Sequence, residues 1–508
     1  MKRPATGITS AFIIGIMTAH SVTLPGIVYT AVLLLTASVV LYKQNGKKLI
    51  VAMILIAALM GIWQSHRLHD TIGLLNVLDG GQTPETHHAQ LEAELLDLRS
   101  HSNFHTRYNA KLTAVTVNGN RIKLQQRVII DINDPDWGTP RYPAGTTARI
   151  EAFRIRHDLK GLSEEAYLNA WRAQGYQAVL QVPAASLIPT ARKHSLREYP
   201  QHMRLRVEQL IDEQLAEPGG QLMKSIFFGN QGYLDMHLRE QFSRTGTAHI
   251  IAVSGLHVGI LALLMQFILQ KLGTGKRISR ILTLLLIWFY AAMAGFPVSI
   301  LRAGSMYTMY VAAFLLERRY DAKSILMWCA ALFAWINPLT VYSVSFQLSF
   351  MATASILWLY PLIMKHFFRT EFPGRQLLSV TLAAQLGTWP VIAWHFGSIA
   401  LFSLPANLLI VPMLGVLMPA GLLMAGIGLI NRTLAFLPAL LVQGGLTYMI
   451  RTTAWFNQIS AAVIEVESIP LHWIIIYYLA LAGVINILRD KTEKTPPNQF
   501  SNHMLKGE

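Results

Sequence analysis

Cysteine is almost absent: Cys329 stands alone among 508 residues. No intramolecular disulfide can form, and no cysteine-based metal site is available. Charge is scarce as well. Asp, Glu, Lys and Arg make up 14% of the chain and hydrophobic residues 52%, whereas a soluble protein carries about 25% charged residues. A soluble multidomain protein is excluded and a polytopic membrane protein remains. Acidic residues are the scarcer sign, 28 against 43 Lys+Arg, for a net charge of +15. That surplus arises where cytoplasmic loops retain Lys and Arg, and it also suits a polyanionic ligand. Composition does not separate the two. No G-x-x-x-x-G-K-[ST] loop occurs, so no phosphate-loop energy source is visible.

Long apolar runs dominate what is there. Residues 8–20, 24–41 and 49–65 read as three membrane spans (1–65). Lys2, Arg3, Lys43, Lys47 and Lys48 place the N-terminus and the second loop in the cytoplasm, so three crossings leave residues 66–200 outside. That region is polar, with 16 Lys+Arg and 14 Asp+Glu, which leaves 27 and 14 for the rest of the chain. Residues 82–99 read as a short polar helix. Residues 108–117 and 121–132 alternate apolar and polar around Asn118-Gly119-Asn120, a hairpin signal. Strands follow at 148–155, 176–182 and 185–188, with a helix at 163–173. This pattern predicts a small Greek-key β-barrel of OB type, a fold that in many proteins binds single strands; near-neutral charge leaves a structural role open. Residues 201–245 are amphipathic, are broken at Pro218-Gly219-Gly220, and are expected along the outer interface. Residues 246–489 hold spans near 249–270, 280–295, 298–316, 324–337, 341–364, 377–396, 400–430, 434–458 and 471–489. The seventh is expected to be interrupted, because Pro405, Pro412 and Pro419 each disturb the helix ladder. A polar tail, 490–508, follows. The fold class is a polytopic α-helical membrane protein of about 11–13 spans with an inserted extracytoplasmic β domain.

Polar groups concentrate in three of these spans. The run from Gly246 to Gly259 carries His249, Ser254, Gly255 and His257. On a regular helix His249, Val253 and His257 lie in one row. Arg302 is the only arginine deep in its span, and no carboxylate falls in the apolar interiors. A charge there pairs or faces water, and a pore needs a cation opposite passing phosphates. Ser345, Gln347 and Ser349 crowd the start of another span, and Asn407 stands beside Pro405. Such groups line a wet path or join helices by hydrogen bonds. Ser254 and His257 also invite a hydrolase reading, but no G-x-S-x-G elbow and no orienting carboxylate accompany them. Two histidines without Cys or acid make no zinc site.

The run Gly246-Thr247-Ala248-His249-Ile250-Ile251-Ala252-Val253-Ser254-Gly255-Leu256-His257-Val258-Gly259 resembles the signature of the ComEC competence proteins. Phe228-Gly229-Asn230, Ser299-Ile300-Leu301-Arg302-Ala303, Asn337-Pro338, Ser345-Phe346-Gln347-Leu348-Ser349-Phe350 and Pro405-Ala406-Asn407-Leu408 extend the resemblance. It is strong over 224–412 and thinner over 104–190. The resemblance implies an inner-membrane channel that passes single-stranded DNA to the cytoplasm, not an enzyme and without a cofactor. His249, Ser254, Gly255, His257, Arg302, Ser345, Gln347, Ser349 and Asn407 are the residues expected along its DNA path. Implied partners are membrane lipids, a periplasmic DNA receptor, a cytoplasmic DNA-translocating ATPase and a separate nuclease; homo-oligomers are left open. The cysteine pair of several family members is missing. So is an H-x-H-x-D-H pattern, so a metallo-β-lactamase-like domain is not expected here. The competing readings are a transporter for another anionic solute and an intramembrane hydrolase.

Overall fold

The computed structural model describes most of residues 89–494. Outside the description lie 1–88, 102–104, 118–119, 134–141, 144, 156–175, 177, 193–197, 230, 369, 460–462, 467–468 and 495–508. The three N-terminal spans, the helix expected at 163–173 and the tail beyond 494 therefore fall outside the described residues.

A seven-stranded sheet opens the described chain: β1 (Ala89–His101), β2 (His105–Val117), β3 (Asn120–Asn133), β4 (Thr146–Ile150), β5 (Arg154–Ile155), β6 (Val179–Pro183) and β7 (Leu187–Arg192). Their order is β5-β6-β3-β2-β1-β4-β7. β1, β2 and β3 form an antiparallel meander, and β6 joins β3 in parallel. The hairpin read around Asn118-Gly119-Asn120 is present. The polar helix read over 82–99 is not: its described part is β1. Ala, Leu and Glu favour helix, yet Leu91, Ala93 and Leu95 are fully buried at alternate positions. They face Leu112, Val128 and Ile130 in one core. Cross-strand burial overrides propensity here, and register shifts at Glu92/Ala93 and Leu95/Asp97 absorb the irregular Leu95-Leu96 step.

Twelve helices follow among the described residues: α1 (Glu198–Gln214), α2 (Gly219–Phe228), α3 (Met236–Arg244), α4 (Gly255–Lys271), α5 (Lys276–Met293), α6 (Val298–Leu315), α7 (Ala322–Ile336), α8 (Val344–His366), α9 (Arg375–Phe396), α10 (Ser403–Ile430), α11 (Phe436–Asn457) and α12 (Leu471–Lys494). A short ladder, β8 (Ser398–Ala400) with β9 (Val463–Glu465), ties the start of α10 to the loop after α11. The last nine helices lie where nine apolar segments are read from sequence. Four of them, α6, α8, α9 and α10, are long and apolar enough to cross a membrane by length and composition. Large apolar side chains crowd the outer helix faces, among them Leu263 at 71%, Leu437 at 71% and Leu479 at 67% exposure. Lipid, not water, suits such a surface. The chain is a membrane protein.

Residues 201–245 do not stand apart from the helices. Leu210, Met223 and Phe227 are buried with Leu414, Met424 and Leu446 in the largest apolar core. Buried Arg204 fixes the joint, donating to Glu208 at 2.6 Å and to the Tyr233 hydroxyl at 2.6 Å. Tyr233 in turn donates to Glu208.

The interruption expected in the seventh apolar segment is absent, for α10 runs 28 residues without a break. Pro405 lies in its first turn, where no helical N–H bond is required. Pro412 and Pro419 each forfeit one ladder bond. Leu417 and Met413 pack closely on Gly445 of α11 along this stretch.

Candidate functional site

The conspicuous run from Gly246 does not begin as a helix. Residues 247–250 form a turn, and α4 starts only at Gly255. His249 thus precedes the helix, and the expected row of His249, Val253 and His257 on one face does not exist. Two local causes set this start. Gly246 adopts φ +70°, and a Cβ there would lie 2.4 Å from Ser403 Cβ. Only glycine lets the chain turn so close to the first turn of α10. Ser254 is then the N-cap: its hydroxyl accepts from Leu256 N at 3.3 Å, and Ser254 N donates to His257 Nδ1 at 3.1 Å. The two form a capping box with histidine in the place Glu or Gln usually fills.

That box decides what His257 can do. The ring is fully buried. Its Nδ1 accepts the backbone N–H and sits 2.9 Å from Ser254 Oγ, which assigns the proton of the neutral ring to Nε2. Nε2 is buried with no hydrogen-bond partner among the described residues. An orphaned buried donor costs about 1–3 kcal/mol, so the site holds a donor without a protein acceptor.

Arg302 of α6 lies against the same helix start. A Cβ on Gly255 would be 2.7 Å from its Nη2. Its Nε donates to Ser349 Oγ of α8 at 2.8 Å, Nη1 donates to Thr353 Oγ1, and the residue is 8% exposed. No carboxylate pairs with it among the described residues. Hydroxyls accept from Nε and Nη1 but leave its charge uncompensated, at a cost of several kcal/mol for a buried ion. The N-terminus of α4 adds its own partial positive charge. One locus therefore gathers a guanidinium and a helix N-terminus, an arrangement that attracts an anion; His257 stands two residues beyond Gly255, and residues so spaced do not share a helix face.

Of the residues read from sequence, Ser254, Gly255, Arg302 and Ser349 come together here, and His257 folds back on Ser254. Ser345 is exposed in the first turn of α8, away from this bonding network. Gln347 links α8 to α9, bonding His395 Nε2 at 2.8 Å and donating to Val341 O. Asn407 is buried in α10, and its Oδ1 has no partner among the described residues. Thr353 was missed although it stands one turn beyond Ser349 on the same face, and the Gln385–Ser403 bond of 2.8 Å between α9 and α10 was missed as well. Among the described residues no group of three or more His, Cys, Asp or Glu could hold a metal ion.

A family model, Competence protein, matches residues 226–491. The chain belongs to the competence protein family. The match covers just over half of the chain and every helix of the site. The chain is similar to ComE operon protein 3 of Bacillus subtilis, 30% identical over 191 residues, covering 38% of this chain and 24% of that protein. Recombination protein 2 of Haemophilus influenzae is 29% identical over 146 residues, 27% of this chain and 18% of that protein. Competence protein ComA of Neisseria gonorrhoeae is 30% identical over 149 residues, 27% and 21% respectively. The chain thus covers a quarter or less of these relatives' lengths. No solved structure matches.

Proposed function

We propose that the chain takes part in DNA uptake as a channel for single-stranded DNA across the cytoplasmic membrane during natural transformation. Family membership supports the process. The observation that carries the molecular reading is buried Arg302, held by hydroxyls without a carboxylate, at the N-terminus of α4. A helix-tethering ion pair would bring its own anion; this locus leaves the anion to be supplied. A passing phosphodiester can supply it. Such contacts read charge and not bases, so transport is independent of sequence.

In this reading the N-terminus is cytoplasmic and residues 66–200 are an external OB-type module. The small bulged antiparallel meander of β1, β2 and β3 supports the OB assignment. A periplasmic receptor delivers the DNA, a separate nuclease degrades the second strand, and a cytoplasmic ATPase draws the strand in. The chain itself is a conduit and not an enzyme: the Ser254–His257 pair is occupied as a helix cap, and among the described residues no carboxylate orients the ring.

Arg302→Gln and His257→Ala test this. Both variants are expected to insert and to leave surface DNA capture intact while internalised DNA is lost, followed with labelled DNA and by transformation frequency. Folded, inserted variants that import DNA at the normal rate would show that these residues are structural and that the path lies elsewhere.

A further inference from the structure

The far end of α4, opposite Ser254, meets the start of α5 in a tight turn. A cavity of about 110 Å³ opens there, lined by Gln266, Gln270, Lys276, Ser279 and Arg280. At roughly 30 Å³ per water, it has room for a few waters or one tetrahedral oxyanion. Ser279 is 1% exposed, and its hydroxyl has no partner among the described residues. Arg280 presents a second buried donor without a partner, Nη1, while its guanidinium lies 3.5 Å from the Phe314 ring centroid. The N-terminus of α5 has no side-chain cap. The facing carbonyls of α4 are closed by their own turn, Leu269 O accepting from Thr274 Oγ1 at 2.6 Å. Among the described residues no carboxylate lines the cavity. Glu317 faces Arg277 at 3.8 Å, and none pairs with Lys276 or Arg280 among the described residues.

We propose that this cavity binds the phosphate of an anionic membrane phospholipid. Two cations, a hydroxyl and an uncapped helix N-terminus suit a phosphate oxygen set. Phe267, Leu272 and Ile278, exposed by 60%, 73% and 57%, flank the turn. They set the cavity where an apolar helix surface gives way to charge, which is the depth of lipid headgroups. Basic pockets between membrane helices recognise anionic headgroups in this way. An ion or strand arriving from water needs no such apolar flank. The inference is independent of the conduit proposal, since it concerns the other end of α4.

Native mass spectrometry of the full chain in mixed micelles tests it, with phosphatidylglycerol or phosphatidylcholine added in turn. Wild type is expected to hold phosphatidylglycerol selectively. Lys276→Gln/Arg280→Gln should lower its occupancy about tenfold or more. Ser279→Val, which leaves every charge in place, should lower it severalfold; a diffuse surface-charge effect would not. Should the double variant misfold, Lys276→Gln and Ser279→Val alone still decide. Unchanged retention in both overturns the proposal. Displacement of the lipid by millimolar inorganic phosphate would instead make this a free-oxyanion site, and displacement by a single-stranded oligonucleotide a nucleic-acid site; either result also overturns it.

Discussion

Gly255→Ala isolates the placement of Arg302 from its presence. Gly255 opens α4 with ordinary backbone angles, so alanine strains nothing locally; replacing glycine there gains about 0.4–1 kcal/mol. The new Cβ would stand 2.7 Å from Arg302 Nη2, whereas non-bonded contact is comfortable at about 3.5 Å. The guanidinium must give way by about 0.8 Å. Its bond to Ser349 begins at 2.8 Å, and a shift of that size carries at least one hydroxyl bond beyond about 3.2 Å, where hydrogen bonds fade. A hydrogen bond to a charged group is worth about 1.5–3 kcal/mol, so the net loss is about 1–2 kcal/mol. If a passing phosphate draws comparable energy from that guanidinium, DNA entry slows about tenfold, 1.4 kcal/mol being a factor of ten. Gly259 is the internal control: one turn on, a Cβ there meets nothing within 4 Å. The assay compares transformation frequency with DNA held outside the membrane in Gly255→Ala, Gly259→Ala and wild type. Normal transformation in Gly255→Ala, or equal impairment in both variants, would refute the reasoning.

Three further outcomes are expected. Gly387→Ala should deplete folded protein in the membrane, since its Cβ would lie 1.7 Å from Ser355 Oγ at the α8–α9 crossing; adding Ser355→Gly should restore the yield, measured by size-exclusion chromatography. Tyr233→Phe removes the hydroxyl shared by Arg204 and Glu208, and should lower the thermal midpoint in detergent by an amount equivalent to about 1–3 kcal/mol. Burial pushes the Tyr233 phenol up; the hydroxyl keeps its proton through neutral pH, and the deficit should be equal at pH 6 and pH 8. Protease added outside intact spheroplasts should cleave within residues 66–200, and cleavage only from the cytoplasmic face would reverse the proposed topology.

Local pattern made much of this protein legible. A span is a matter of consecutive apolar residues, so the helices from α4 to α12 could be located from the chain alone, though the start of α4 could not. The β2–β3 hairpin needed only alternation and a turn triplet. The boundary between α1 and α2 falls at Pro218, the N-cap of α2, with Gly219 and Gly220 opening the new helix. The candidate locus was legible only as a set of names: Ser254, Arg302 and Ser349 are polar residues in apolar surroundings, and their cost marks them. What joins them is not local. Helix-forming residues became β1 because partners on two neighbouring strands bury every second side chain. The row through His249 dissolved because Ser254 starts the helix and Gly246 is pressed against α10. The prolines of α10 did not break it, and α11 packs closely along that stretch. Arg302 meets Gly255 and Thr353 through contacts between helices dozens of residues apart in sequence. Periodicity reports which face of an element is apolar. Which faces meet, and whether a buried charge meets a carboxylate or only hydroxyls, is decided by packing.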